Sequence, residues 1–222
     1  PTWRAEALPS CDLLKPYRGQ EFEDEENVPQ ADSLNNKIAR HMGTVLHRCL
    51  QRIVIDSPER WDTSCIERHR PYWLAQLRQM GLSDQDADSA SQRIQLAVER
   101  MLADKTGRWL LDSRHTESEC ELAVWHTTQD KTYSTHIRES IIDRTFIELK
   151  DGERLRWIID YKSSEPANDQ SLADFLSDQR RQYRPQLQRY ASLMAQSDHA
   201  RICTALYFPT LQRLELVDLA EN

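Results

Sequence analysis

Apolar residues between positions 33 and 55 recur every three or four residues, which is the spacing of one helical face. This stripe consists of Ile38, Met42, Val45, Leu46, Cys49, Leu50 and Ile53. Residues 1–32 before it contain four prolines, an acidic run and little periodicity, which is typical of a linker or an arm lying over a neighbouring domain. The pattern predicts an amphipathic helix that begins a domain over residues 33–222.

Two further helical segments are predicted near residues 63–80 and 84–104. Ser83 and Asp86 resemble a capping box at the start of the second segment, and Gly107 is predicted to end it. These helices carry no recognisable chemistry, so residues 60–107 are interpreted as a helical insertion or packing layer.

After residue 119 the pattern changes to that of strands. Segments 120–127, 133–149 and 155–161 are each predicted to be extended, the last being strongly apolar. The Asp151-Gly152 pair between the last two predicts a hairpin turn, because Asp-Gly accommodates the positive φ that such turns need.

The rest of the chain predicts one long helical stretch and two closing strands. The helical stretch covers residues 171–196, where Pro185 either kinks the helix or starts a second one. The closing strands are predicted at 202–208 and 214–217. This order of elements predicts a mixed sheet flanked by helices, in the α/β or α+β class.

Composition narrows the possible functions. The net charge of −7 argues against a protein that coats nucleic acid through its overall field, although a local basic groove remains possible. No segment approaches the roughly 18 apolar residues of a membrane span, and no secretory leader is present, so we expect a cytoplasmic protein without a membrane partner. The five cysteines form no CxxC pair, so neither an iron-sulfur cluster nor a structural zinc site is expected.

The chemistry centres on Asp143, Asp160 and Lys162. Asp160 and Lys162 end an apolar strand at positions i and i+2, which point to the same face, while Tyr161 points away. Asp143 follows Glu139 to Ile142 in the preceding segment, so a hairpin through Gly152 would bring it beside Asp160. Two adjacent carboxylates repel unless a cation lies between them. The pair therefore suits Mg²⁺, and Lys162 could activate water or neutralise charge on a phosphate. A cross-strand ion pair is the simpler alternative.

His47 lies off the apolar stripe of the first helix, on a face with Gly43 and Thr44. Glycine inside a helix costs about 1 kcal/mol relative to alanine, so close approach of backbone or a ligand would explain Gly43. We interpret this face as a metal or phosphate contact. The alternative is an ordinary surface histidine.

The segment 180–190 has the densest positive charge in the chain. Its arginines are Arg180, Arg181, Arg184 and Arg189. Gln186 and Tyr190 lie at i and i+4, one above the other on a helix. Arginines interleaved with Tyr and Gln suit contacts to a single strand of DNA, while a solvated cationic helix is the alternative.

Together these residues resemble the RecB-like nucleases of the PD-(D/E)xK superfamily, as found at the C-terminus of superfamily 1 helicase-nucleases of the exonuclease V or AddA-like type. The corresponding segments are Gly43 to His47, Ser140 to Arg144, Ile159 to Ser163, and Gln186 to Tyr190. They occur in the family's order and cover roughly residues 35–219. Ser140 and Ser163 replace the family's usual glycine and threonine, and the cysteine quartet of some relatives is absent.

The resemblance implies a restriction-endonuclease-like fold and a Mg²⁺- or Mn²⁺-dependent DNA nuclease. His47, Asp143, Asp160 and the carbonyl of Tyr161 would hold the metal, and Lys162 would be the catalytic lysine. The residues expected to support the site or hold DNA are Thr44, Arg184, Gln186, Arg189 and Tyr190. Glu121 resembles an acidic strand position of some members.

The resemblance also implies a setting: single-stranded or unwound DNA as substrate, a helicase in cis or in a complex, and a role in recombination and repair. No Gly-x-x-x-x-Gly-Lys-Ser/Thr loop is present, so any ATPase must lie outside these residues. One alternative is a catalytically silent DNA clamp or partner-docking domain with a nuclease fold. A site-specific endonuclease of the restriction or transposon type is the other.

Overall fold

The computed structural model describes residues 34–129, 135–197 and 199–220. The predicted arm at 1–32 lies outside them. The helices are α1 Leu34–Asp56, α2 Thr63–Gln79, α3 Asp84–Ala103, α4 Lys105–Leu110 and α5 Leu172–Ala195. The strands are β1 Thr116–Gln129, β2 Thr135–Lys150, β3 Glu153–Tyr161, β4 Arg201–Phe208 and β5 Arg213–Leu216. Short 3-10 helices cover Pro58–Arg60 and Pro209–Leu211.

The first three helices form where the apolar spacing predicts them. The stripe of α1 is buried from Met42 to Ile53, with Ile38 packed at its margin. The start of α3 is capped by Ser83, whose hydroxyl accepts a hydrogen bond from the Asp86 amide at 3.1 Å. The Ser83 hydroxyl also donates to the Asp86 carboxylate at 2.6 Å, so the N-cap at Ser83 is confirmed.

Gly107 does not end α3, contrary to the sequence prediction. The helix ends at Ala103, and Asp104 caps the next helix by accepting a 2.9 Å hydrogen bond from the Gly107 amide. A Cβ at Gly107 would lie 2.2 Å from the Met101 carbonyl oxygen and 2.6 Å from the Tyr207 hydroxyl. Glycine is needed here for a close approach of chain segments and not for a helix stop.

The five strands of the described residues form one sheet in the order β1-β2-β3-β4-β5. All neighbouring pairs are antiparallel except β3 and β4, which are parallel and connected through α5. The β2–β3 hairpin turns at Asp151 and Gly152, with φ of 51° and 83°, as the Asp-Gly pair predicts. Pro185 is exposed, and α5 continues through it as a single helix.

Helices cover both faces of the sheet. On one face, α1 to α4 pack against apolar side chains that include Trp157, Ile159 and Tyr207. On the other, α5 packs against Ile158 and Leu206. This is the mixed α/β, restriction-endonuclease-like fold that the sequence predicts. No helix in the described part of the chain is long and apolar enough to span a bilayer.

Arg144 is fully buried next to the predicted site and links β2 to the chain between α4 and β1. Its guanidinium donates to the carbonyl oxygens of Leu110 at 2.8 Å and Asp112 at 2.9 Å, and to the Ser118 hydroxyl at 2.7 Å. Buried polar groups need such partners. Arg144 therefore fixes the strand that carries Asp143.

Candidate active site

Asp143 and Asp160 lie where strands β2 and β3 part. The ladder between these strands ends at the pair Arg144 and Ile159, so both acids follow immediately beyond it. Asp143 Oδ2 accepts a 2.7 Å hydrogen bond from the Tyr161 amide. Both carboxylates are buried, with 8% and 3% of each residue exposed. The hairpin thus brings two buried acids to one end of the sheet.

His47 reaches this end of the sheet from α1. Its Nδ1 lies 3.4 Å from Asp143 Oδ1 and 3.7 Å from Glu121 Oε1. Its Nε2 lies 3.2 Å from the Tyr161 carbonyl oxygen. The position off the apolar stripe leaves the ring free to face these groups while the stripe packs in the core.

Glu121 completes a cluster that the motifs alone do not define. It lies between Cys120, which pairs with Arg144, and Leu122, which pairs with Ile142, and is therefore opposite Asp143. His47, Glu121 and Asp143 offer ligand atoms that all lie within 4.8 Å of one another. The only sequence signal for Glu121 is an acidic residue on the edge strand.

Asp160 belongs to the same region but makes different contacts. Its Oδ2 lies 2.6 Å from Lys162 Nζ, and its Oδ1 accepts a 3.1 Å hydrogen bond from the Gln186 amide. The Gln186 side chain also donates to the Tyr190 hydroxyl at 2.7 Å. Lys162 Nζ also lies 3.6 Å from the centre of the Tyr183 ring, in a cation–π contact. Helix α5 therefore holds the acid and the lysine in place.

The pKa values in the cluster reflect burial and crowding of negative charge. Burial and the charge of Asp143 raise the pKa of Asp160 to about 6, and the same two causes raise the pKa of Glu121. Burial lowers the pKa of His47, but its hydrogen bond to Asp143 and the charges of Asp143, Glu121 and Asp160 outweigh this and raise it to about 9. The cluster thus favours positive charge at its centre.

Thr44 and Gly43 do not join the cluster through contacts with its side chains. The Thr44 hydroxyl is exposed and donates to the Arg40 carbonyl at 3.1 Å. A Cβ at Gly43 would meet nothing within 4 Å. Close packing within the described residues therefore does not explain Gly43, and the open space beside α1 leaves room for a ligand.

The arginines of α5 fall into two groups. Arg180 is paired with Glu215, and Arg181 lies 3.5 Å from Asp178. These two cations are balanced by acids, as the solvated-helix alternative predicts. Arg184 differs, because its Nη2 is buried and has no hydrogen-bond acceptor among the described residues. A cation buried without an acceptor suits an anionic ligand.

The donor set fits a hard divalent cation. A carboxylate oxygen of Asp143, one of Glu121 and a ring nitrogen of His47 lie within 4.8 Å of one another, and the Tyr161 carbonyl lies 3.2 Å from His47 Nε2. Mg²⁺ and Mn²⁺ prefer such oxygen-rich sites. The raised pKa values of Glu121 and Asp160 indicate that these carboxylates lack sufficient positive charge around them.

Buried acids and a lysine thus lie together at the end of a hairpin in a mixed sheet. Residues 21–215 match the family model of the PD-(D/E)XK nuclease superfamily. The chain belongs to this superfamily. Comparison with curated proteins gave no match.

Proposed function

We propose that the protein is a Mg²⁺-dependent deoxyribonuclease of the RecB-like branch, acting as the exonuclease part of an ATP-dependent helicase-nuclease in recombination and repair. The observation that carries the nuclease activity is the convergence of His47, Asp143, Asp160 and Lys162 at one end of the sheet. Membership of the nuclease superfamily supports it.

In this proposal the cation ligands come from four elements. Asp143 on β2 and Glu121 on β1 lie beside Nδ1 of His47 on α1, and the Tyr161 carbonyl on β3 lies 3.2 Å from its Nε2. Asp160 closes the site on the α5 side. A bound divalent cation would polarise the scissile phosphate and lower the pKa of the attacking water.

Lys162 supplies positive charge beside this point. Its Nζ is held by Asp160 and by the face of the Tyr183 ring. A fixed ammonium at this position can stabilise charge that develops on the phosphate oxygens, without reorganisation during the reaction. Gln186 is a positioning residue, because it orients Asp160 and does not itself face the cluster.

The helicase setting rests on two segments of α1 and α5. Gly43 to His47 and Gln186 to Tyr190 resemble the helices of the helicase-linked branch and not those of site-specific endonucleases. In the structure these segments bring His47 and Gln186 to the acids. The substrate in this setting is single-stranded or unwound DNA.

The test is degradation of labelled single-stranded DNA with Mg²⁺, beside a binding titration in Ca²⁺. Lys162→Ala should lower the cleavage rate at least about 100-fold, on the scale of losing one electrostatic stabiliser, and change DNA affinity much less. Lys150→Ala is the matched control, because it removes the same charge at the far end of β2.

Two outcomes would contradict the proposal. If the wild type and Lys162→Ala cut equally well, the catalytic role of the lysine is wrong. The second outcome is that the wild type binds DNA but never cuts it, alone or with any helicase it works with. In that case the protein is a DNA clamp that has kept the nuclease fold.

A further inference from the structure

A cavity of about 300 Å³ lies between α1 and α2, outside the metal cluster. Trp61, His69 and Trp73 form one wall as a stacked series, with ring centroids 4.4 Å and 6.4 Å apart. Tyr72 lies at the rim and is 62% exposed. Trp61 and Trp73 are themselves buried, and it is the exposed Tyr72 ring that is typical of surfaces on which bases stack.

The opposite wall belongs to α1, where polar side chains lie among the apolar Val45, Cys49 and Ile55. Arg48, Gln51 and Arg52 line it. Arg52 is paired with Asp56 at 2.8 Å, whereas Arg48 is exposed and forms no ion pair within the described part of the chain. A guanidinium can contact a phosphate, and side-chain amides can reach the edge of a base.

The cavity lies next to the active site along α1, because its lining residue Gln51 follows His47 by one helical turn. His47 and Gln51 are one turn apart on the same face, which is about 6 Å along the helix. Arg48, the neighbour of His47, is close enough for its charge to act on Glu121. A strand whose phosphate lies at the metal cluster would therefore reach the cavity within a nucleotide or two.

We propose that this cavity holds a nucleobase of the single-stranded substrate, which stacks on Tyr72 while Arg48 contacts the adjoining phosphate. The proposal rests on the proposed nuclease function. The occupant is a base and not an apolar protein segment, because the exposed Tyr72 ring and the cationic Arg48 line one cavity beside the nuclease site. The cavity thus fixes the register of the strand relative to the cleaved bond.

The experiment uses short single-stranded oligonucleotides bound in Ca²⁺, with one abasic position moved along the strand. An abasic site at one position near the cleaved bond should weaken wild-type binding about 5- to 100-fold, the range for losing one base–aromatic stack. Tyr72→Ala should weaken binding of the intact strand by a similar factor and no longer respond to the abasic position. Tyr72→Phe should retain both properties of the wild type.

Leu149→Ala is the control for loss of an exposed apolar side chain, since Leu149 is 67% exposed near the far end of β2. It should bind like the wild type. If the wild type cuts DNA but Tyr72→Ala binds equally well, or still responds to the abasic position, the cavity does not hold a base and the nuclease proposal stands. If the wild type neither binds nor cuts DNA, both proposals are wrong.

Discussion

Replacing His47 tests the electrostatics of the cluster without any DNA. In the protein without metal, the pKa of His47 is raised from 6.5 to about 9. As the pH rises, the unfolded state therefore loses this proton before the folded state does. This contribution to stability is fully present below pH 6.5 and is lost as the pH rises through about 9. The free energy of unfolding of the wild type should therefore fall between pH 6.5 and 9, and that of His47→Gln should not show this fall.

The size of the effect follows from the pKa and the exposure of the ring. Each tenfold change in proton affinity corresponds to about 1.4 kcal/mol, so the change from 6.5 to about 9 sets an upper bound of about 3 kcal/mol. The His47 side chain is 23% exposed, and water screens its interactions in part. We expect a loss of about 1–3 kcal/mol across this pH range.

The assay is urea unfolding at several pH values between 6 and 9, in EDTA and in Mg²⁺. Because a metal ligand must be a neutral imidazole, Mg²⁺ should stabilise the wild type more at pH 8.5 than at pH 6.5. His199→Gln is the control, since His199 is an exposed histidine beyond α5. Equal pH profiles for the wild type and His47→Gln in EDTA would refute the reasoning.

Three further predictions concern α5 and α4. Arg184→Ala should reduce the slope of log affinity for single-stranded DNA against log salt concentration by about 0.7, the value for one lost phosphate contact. The control is Arg181→Ala, which should leave the slope unchanged, because the Arg181 side chain is 79% exposed and lies near Asp178. Gln186→Ala should lower the cleavage rate about 10-fold, on the scale of one hydrogen bond, and a rate equal to the wild type would exclude a positioning role. Gly107→Ala should lower the free energy of unfolding in urea by about 1–3 kcal/mol, because the added Cβ would overlap the Met101 carbonyl oxygen. An unchanged unfolding midpoint would contradict this.

Most of the fold could be predicted because local patterns and long-range packing agree. The apolar stripe of α1 and the Asp-Gly turn need no tertiary information. Gly107 shows the limit of this agreement. Glycine near a helix end usually indicates a stop, whereas here one of the contacts that exclude a side chain is the Tyr207 hydroxyl, 100 residues along the chain. Periodicity cannot report a contact of that kind.

In the candidate site, too, some contacts could be predicted from the sequence and others could not. The i and i+2 spacing places Asp160 and Lys162 on one face, and the Nζ to Oδ2 distance is 2.6 Å. Glu121 enters the cluster because β1 pairs with β2 in a particular register and adopts a φ of 51° there. Neither the register nor the positive φ can be read from an isolated glutamate, so its contribution depends on the three-dimensional structure.

The hydrogen bond from the Tyr161 amide to Asp143 gives the site a built-in spectroscopic probe. This amide lies just beyond the β2–β3 ladder, and its acceptor is a side chain that also faces the metal cluster. Its proton chemical shift and its hydrogen-exchange rate should follow the charge state of Asp143 directly. An NMR titration of a ¹⁵N-tyrosine-labelled sample with Mg²⁺ would therefore read the occupancy of the site from one backbone resonance, in the absence of substrate and turnover.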